Sequence, residues 1–566
     1  NLTYQWQESD YEGGWYDLTD VDGFSGTSTS VLSVNTAAYF GQNYYRCMVS
    51  GDLSSNAFSD EVYLEIGPDK PAVSNVVNCG PTSFTLTASG GAEGQFRWYT
   101  TSTGGSPIIG ETSSTYTTPP LTSTAYYYVA INDGTCESER SEIQAGISTC
   151  EPEPGFVWAL GAGSGGGTSA ASETIYTSDG NLLVFGSYGG TIDFDTGPGE
   201  AIVTATGSDA YMFKLGPDGN LLWVKTAQGT GLTSVAAASE NGAGNLYVLF
   251  RFYGTTDFDP GVGEAFLTSV TSSPNNKSDL AIAKYDADGN FIWVRQIGGN
   301  SDEFGGGITT DADGNAYVTG AFRSTTSVGG MFSLTARGSG STDALFCKID
   351  KDGTFLWAYN IGSDTTTGAN LFSDYASGVA LSGSNLYITG RLHSSGVVDF
   401  DPGAGTANYT LTSGTAFILK LNSDGIYQSH QVIENSGASG SIGIDSESNI
   451  YVCGQFAGTI DIDPGPGTFE VTSTGDAASY LLKLNPAGDF VWGLSFGGQY
   501  NSFAMGNITI DANDNIFTSG YFQSTTDFDP SDLVESRGSN GLFLNTFTLK
   551  LDKDANFKWM IDMRKI

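Results

Sequence analysis

The stretch Gly307-Ile308-Thr309-Thr310-Asp311-Ala312-Asp313-Gly314-Asn315-Ala316-Tyr317-Val318-Thr319-Gly320 decides how this chain is read. Two short runs rich in β-branched and aromatic residues flank Asp313-Gly314-Asn315, whose Asp-Gly step supplies the positive φ that a tight hairpin turn needs. After a long excursion the arrangement returns as Ala344-Leu345-Phe346-Cys347-Lys348-Ile349, a turn at Asp352-Gly353, and a strand carrying Trp357. Four short strands therefore make one unit, and the unit recurs. Its aromatic last strand comes back at Trp158, Trp223, Trp293, Trp357, Tyr427, Trp492 and Trp559, at steps of 65, 70, 64, 70, 65 and 67 residues.

A four-stranded sheet cannot bury both faces alone, so the copies must stack, and four strands per repeat is the content of one β-propeller blade. Six complete repeats follow Trp158, which leaves 156–160 as an additional outer strand. That strand either completes a seventh blade whose other strands lie beyond Ile566 or stands spare beside a ring of six; we expect seven in the whole protein. Residues 156–566 resemble the bacterial repeats called SBBP. The resemblance implies a seven-bladed β-propeller and says little about activity, because propellers host unrelated functions.

The first third reads differently. Tyr4-Gln5-Trp6-Gln7, followed some forty residues later by Tyr45-Arg46-Cys47, resembles an immunoglobulin-like domain, with Trp6 as the core tryptophan and Tyr45 as the tyrosine corner. No earlier cysteine precedes Trp6. Either Cys47 is a free thiol or the chain begins inside a domain whose first strands are absent, and we expect the second. Residues 71–147 repeat the theme through Phe84-Thr85-Leu86-Thr87, Phe96-Arg97-Trp98-Tyr99 and Tyr126-Tyr127-Tyr128-Val129, and are similar to the immunoglobulin-like modules strung along surface proteins of gliding bacteria. That resemblance implies a disulfide between Cys79 and Cys136, stabilising by about 4 kcal/mol in a chain-entropy view, and export by the type IX route to an oxidising compartment. Glu151-Pro152-Glu153-Pro154 reads as a stiff linker, and Cys150 beside it has no assigned role. The expected fold is all-β: immunoglobulin-like domains at 1–66 and 67–149, then a propeller at 150–566.

One recurrent motif has possible chemistry. After the second strand of five repeats stand Asp193-Phe194-Asp195, Asp257-Phe258-Asp259, Asp399-Phe400-Asp401, Asp461-Ile462-Asp463 and Asp527-Phe528-Asp529, four of them followed by Gly two residues after the second Asp. On extended backbone each Asp pair projects to one side while the residue between turns toward a neighbouring blade. Paired carboxylates with turn carbonyls nearby suit Ca²⁺. Asp ahead of Pro-Gly is equally ordinary turn chemistry, the carboxylate accepting backbone N–H groups. Both readings stand on sequence alone.

Composition limits function. Sixty-two acidic residues against 23 basic ones give a net charge of −39, which repels nucleic acid and anionic lipid. No run of about 18 apolar residues offers a membrane span. His393 and His430 are the only histidines, which speaks against zinc and Ser-His-Asp chemistry. The glycines around Gly161 to Gly167 precede no helix and read as loop, and Cys347 and Cys453 read as small buried hydrophobes. The expected protein is an extracellular or cell-surface binding or structural component, adhesin-like, that engages glycan, protein or copies of itself. The alternatives are a carbohydrate-active enzyme with a propeller catalytic domain and a filament or surface-layer subunit.

Overall fold

A computed structural model describes residues 2–148 and 168–563, apart from 10–13, 22, 35–42, 52–55, 65–67, 80–82, 135, 196, 198, 272–276, 338–341, 364–373, 394–395, 413, 474, 476, 498–503, 524, 531–535 and 539–543. All regular structure among them is β, and no helix is long and apolar enough to cross a membrane. The chain divides into two compact units, Asn1–Glu151 and Pro152–Ile566.

In the first unit, the strand Thr3–Ser9 pairs with Asn43–Ser50 so that Trp6 stands opposite Cys47. Tyr45 packs with Leu18 and Phe24 in a small core, and its hydroxyl donates to Glu8 Oε1 at 2.9 Å. The bond expected of a tyrosine corner, to the backbone upstream, is replaced by this carboxylate. Cys47 is buried and is a free thiol.

The second module of that unit is a sandwich. One sheet orders Thr115–Thr117, Thr85–Ser89 and Ala72–Val73; the other orders Phe96–Tyr99, Ala125–Ile131, Ser141–Ser148 and Val76–Cys79. Along Thr85–Ser89 the side chains alternate, so Leu86 and Ala88 face inward while the threonines face water. They meet Trp98, Val129 and Ile143 of the opposite sheet in one buried cluster, and Trp98 Nε1 donates to Ser113 O at 2.9 Å.

The second unit holds six four-stranded antiparallel sheets, one per repeat, their first strands being Thr168–Tyr176, Thr233–Glu240, Glu303–Thr310, Tyr375–Ser382, Ser436–Ile444 and Ala504–Ile510. Each first strand packs against the next in sequence order. Small residues permit this approach: a Cβ on Gly306 would lie 2.1 Å from the Ala376 carbonyl of the following sheet. The excursion between second and third strands is itself a β-ribbon, such as Thr255–Asp257 with Phe266–Thr268. In two repeats the ribbon reaches back to the preceding sheet, Gln228 pairing with Asp257 and Ile297 with Val328.

Candidate functional site

The Asp-x-Asp loops stand where each ribbon turns. Asp257 Oδ1 accepts the Asp259 N–H at 3.0 Å and the Ala265 N–H at 2.8 Å, so one oxygen closes both sides of the loop. Asp193 does the same with Asp195 and Ala201, Asp399 with Asp401 and Ala407, and Asp461 with Asp463 and Phe469. Asp527 accepts the Asp529 N–H at 3.1 Å. The second aspartate of each loop takes the N–H two residues on: Asp195 from Gly197, Asp259 from Gly261, Asp401 from Gly403 and Asp463 from Gly465, each at 2.8 Å.

A further glycine carries a signal that the sequence reading passed over. A Cβ on Gly199, Gly263, Gly405 or Gly467 would stand 2.1, 2.2, 2.0 or 2.2 Å from Oδ2 of Asp195, Asp259, Asp401 or Asp463. The Asp-x-Gly-x-Gly spacing therefore records a carboxylate folded over its own loop. Backbone N–H groups already hold one oxygen of each aspartate, and among the described residues no three His, Cys, Asp or Glu gather as metal ligands. Two partly engaged carboxylates fall short of the six to eight oxygens that Ca²⁺ takes. The geometry fits loop closure.

The residue between the aspartates packs on rings of its own repeat and enters a core cluster shared with the preceding sheet. Phe258 meets Phe250 and Phe252, Phe528 meets Phe522 and Phe547, and Phe400 stacks on His430 with centroids 4.2 Å apart. His430 also shares a 2.8 Å hydrogen bond with the Tyr427 hydroxyl, and burial holds its pKa below the usual range. His393 is held down by burial and then by the Arg391 charge. Cys347 and Cys453 are fully buried free thiols in separate core clusters, and burial pushes Cys453 up to about 11.

The structure separates Cys79 from Cys136. Cys79 pairs with Ser148 at the far end of the Ser141–Ser148 strand, whereas Cys136 sits in the turn before Ser141, its N–H bonded to Asp133. Seven residue steps of about 3.3 Å intervene, against a Cα separation of under about 7 Å that a disulfide spans. The inferred bridge is thereby corrected by strand register. The Cys79 side chain, and Cys150, lie outside the described residues.

Among curated proteins the chain is similar to an uncharacterized WD repeat-containing protein of Acanthamoeba polyphaga mimivirus, 22% identical over 74% of this chain and 34% of that protein. It is also similar to the regulatory protein FlaEY of Caulobacter vibrioides, 28% identical over 34% of this chain and 19% of that one. The chain thus spans about a third of one of these curated relatives and about a fifth of the other. A solved structure of a protein of unknown function from Bacteroides caccae covers 50% of this chain and 89% of its own at 11% identity, with a TM-score of 0.21, too low to carry an argument. Residues 68–148 match the family described as Ig-like domain CHU_C associated, and residues 292–321 match the β-propeller repeat SBBP, so the chain joins an immunoglobulin-like domain to propeller repeats.

Proposed function

We propose that this is an extracellular surface protein whose immunoglobulin-like modules carry a propeller that binds or builds and does not catalyse. One observation carries the reading. The residue just before the aromatic of each last strand is apolar and exposed in five successive repeats: Leu222 at 53%, Ile292 at 46%, Leu356 at 48%, Ile426 at 59% and Val491 at 47%. Exposed apolar side chains repeated at one register suit a contact surface for protein, glycan or further copies of the chain, whereas catalysis needs one asymmetric constellation. The CHU_C-associated domain and the net charge of −39 support a surface location. Asp279, Glu303, Asp343 and Asp374, buried between sheets, have no exposed surface through which a substrate could reach them.

Seven blades remain our reading for the whole protein. The first strand of the first sheet, Thr168–Tyr176, is mostly exposed, and the third strand of the sixth sheet alternates buried and open positions where the second, third and fifth sheets are buried throughout. Both terminal sheets thus offer a face to a further blade.

Antibody against residues 152–566 applied to intact and to lysed cells of the source organism tests the location. Labelling of intact cells is expected; signal only after lysis would overturn it. A panel of chromogenic glycosides should show no turnover.

A further inference from the structure

Arginine stands at one register of the second strand in two repeats, Arg251 in Leu246–Phe252 and Arg391 in Asn385–Leu392. The other four repeats carry Ser187, Ala321, Gln455 and Tyr521 there. Strand pairing fixes the equivalence: Phe252 stands opposite Asp279 and Leu392 opposite Thr415, and each arginine comes one residue earlier. A guanidinium is always charged and brings five donors, so a partly buried one needs acceptors and a counter-charge.

Arg251 has both. Its Nε donates to Ser278 Oγ at 2.9 Å, its Nη2 lies 3.9 Å from Asp302 Oδ1, and its Cζ stands 4.4 Å from the centre of the Phe304 ring and 5.4 Å from that of Tyr253. A hydroxyl, a carboxylate and aromatic rings thus surround it.

Around Arg391 the same places are cut back. Register puts Gly414 where Ser278 stands, Asn435 for Asp302, Gly437 for Phe304 and His393 for Tyr253. The correspondence holds in space as well: Ser278 Oγ donates to Glu303 O at 3.0 Å, and a Cβ on Gly414 would stand 3.7 Å from Ser436 O and 3.4 Å from Arg391 Nη2. Arg391 Nε and His393 Nδ1 are buried without a hydrogen-bond partner. The carboxylate whose charge reaches Arg391 is Asp374, and its oxygens are already engaged by the N–H and hydroxyl of Ser363 and by the His393 N–H. Arg391 and Gly437 are half-buried and Asn435 is exposed, so the space opens to solvent.

What the second repeat supplies from its own side chains describes what would fill that space: a carboxylate, a hydroxyl and a six-membered ring. An acidic sugar carries all three, whereas an acidic peptide side chain offers the carboxylate alone. We propose that the space beside Arg391 is a subsite for a uronic acid residue, its carboxylate on the guanidinium and a ring hydroxyl on His393 Nδ1. The assignment rests on the binding reading above and gives it a ligand class. Arg–carboxylate pairs are among the stronger charge-assisted bonds, and a hydroxyl can serve either tautomer of the histidine. The net charge of −39 opposes a polyanion, so the ligand is a short or otherwise neutral glycan with an isolated uronate.

Saturation-transfer NMR on the whole chain, with D-glucuronate, D-glucose and acetate as probes, tests the subsite on wild type, Arg391→Gln and Gly414→Ser. Wild type should bind glucuronate in preference to glucose and acetate, and Arg391→Gln should weaken glucuronate by about tenfold or more. Gly414→Ser gives Arg391 the hydroxyl that Arg251 already has; it should also weaken glucuronate, yet melt no lower than wild type, which separates loss of the site from loss of the fold. No glucuronate signal in wild type, or equal affinity in wild type and Arg391→Gln, overturns the proposal. Acetate bound as well as glucuronate overturns it too, and assigns the space to carboxylates of any source, acidic peptides included. On a glycan array, uronate-bearing spots retained by wild type and lost by Arg391→Gln support the subsite. Neutral glycans retained alike by both overturn it and leave the binding reading intact.

Discussion

Lys284 lies over the Tyr247 ring, its Nζ 5.0 Å from the centroid, and donates at 2.9 Å to the carbonyl of Lys351 in the next repeat. The relationship recurs. Lys348 sits over Tyr317 and bonds Ser423 O, Lys420 sits over Tyr387 and bonds Pro486 O, and Lys483 sits over Tyr451 and bonds Lys553 O. Each third strand thus ties its sheet to the turn of the following one with a partly desolvated ammonium. Lys284→Met should keep the packing and lose the charge-assisted bond and the cation–π contact, at a cost of about 2 kcal/mol. Lys351→Met, which leaves the accepting carbonyl in place and alters only an exposed side chain, should cost about 0.5 kcal/mol or less. Urea unfolding of the two variants checks the contrast.

Loop closure and metal binding predict different orders for substitutions at Asp257. As a loop-closing acceptor, Asp257→Asn keeps an oxygen for Asp259 and Ala265 and should be nearly neutral, whereas Asp257→Ala leaves two N–H groups unanswered and should cost roughly 1–3 kcal/mol. As a calcium ligand, both substitutions should be damaging, and only in the presence of the ion. Thermal unfolding of both variants in EGTA and in Ca²⁺ separates the two.

The second glycine of the loop offers an independent check. Gly263→Ala places a methyl carbon against Asp259 Oδ2, 2.2 Å away before relaxation. The carboxylate must swing off the loop and release the Gly261 N–H, so a loss of about 1–3 kcal/mol is expected. In the Asp259→Ala background the same change should be milder, because the obstacle has gone, and a double-mutant cycle by urea unfolding measures the coupling.

What the sequence disclosed follows from where the information lies. The hairpin turns were legible because Asp-Gly and Asp-x-Asp-Gly-Asn specify local conformation: Gly289 has φ 74°, and Asp286 Oδ1 accepts the N–H groups of Asp288 and Asn290. Trp98 was legible because one large side chain among alternating neighbours marks a sandwich core. The lysine ties were not, although a Lys stands at the same place in all six repeats: their acceptors are backbone carbonyls, which leave no residue type to recognise. The ribbons that reach back to the preceding sheet, and the buried meeting of Asp279 with Glu303, depend on which strands become neighbours, a tertiary matter that periodicity does not encode.

The Asp343 carboxyl provides a pH test. Burial raises its pKa to about 7, with the Asp374 charge adding to the rise and the Arg337 N–H and Asn360 opposing it. A carboxyl whose folded pKa exceeds its unfolded value of 3.8 binds more protons in the folded state between those two values. Its stabilising contribution is therefore complete below about pH 4 and is lost as pH climbs toward 7. Asp343→Asn cannot ionise, and Asn360 can turn its amide to meet the new side chain. The variant should unfold at a higher temperature than wild type at pH 8 and show a flatter stability profile from pH 4 to 8; parallel profiles would remove Asp343 as the source of the slope.

The register of the second immunoglobulin-like module makes a covalent prediction. Because Cys79 stands beside Ser148 and Cys136 precedes Ser141, the two residues lie toward opposite ends of one sheet. Bridging them would require the Val76–Cys79 strand to leave its parallel pairing with Ala145–Ser148, giving up ladder hydrogen bonds and the packing of Val76 against the core. That exchange works against the few kcal/mol a disulfide contributes. Peptide mapping of the chain under non-reducing conditions should therefore find no Cys79–Cys136 cross-link, and substituting Ser at Cys136 should leave the unfolding temperature within about 2 °C of the parent. Recovery of that linked peptide would mean that the strand Val76–Cys79 pairs in another register.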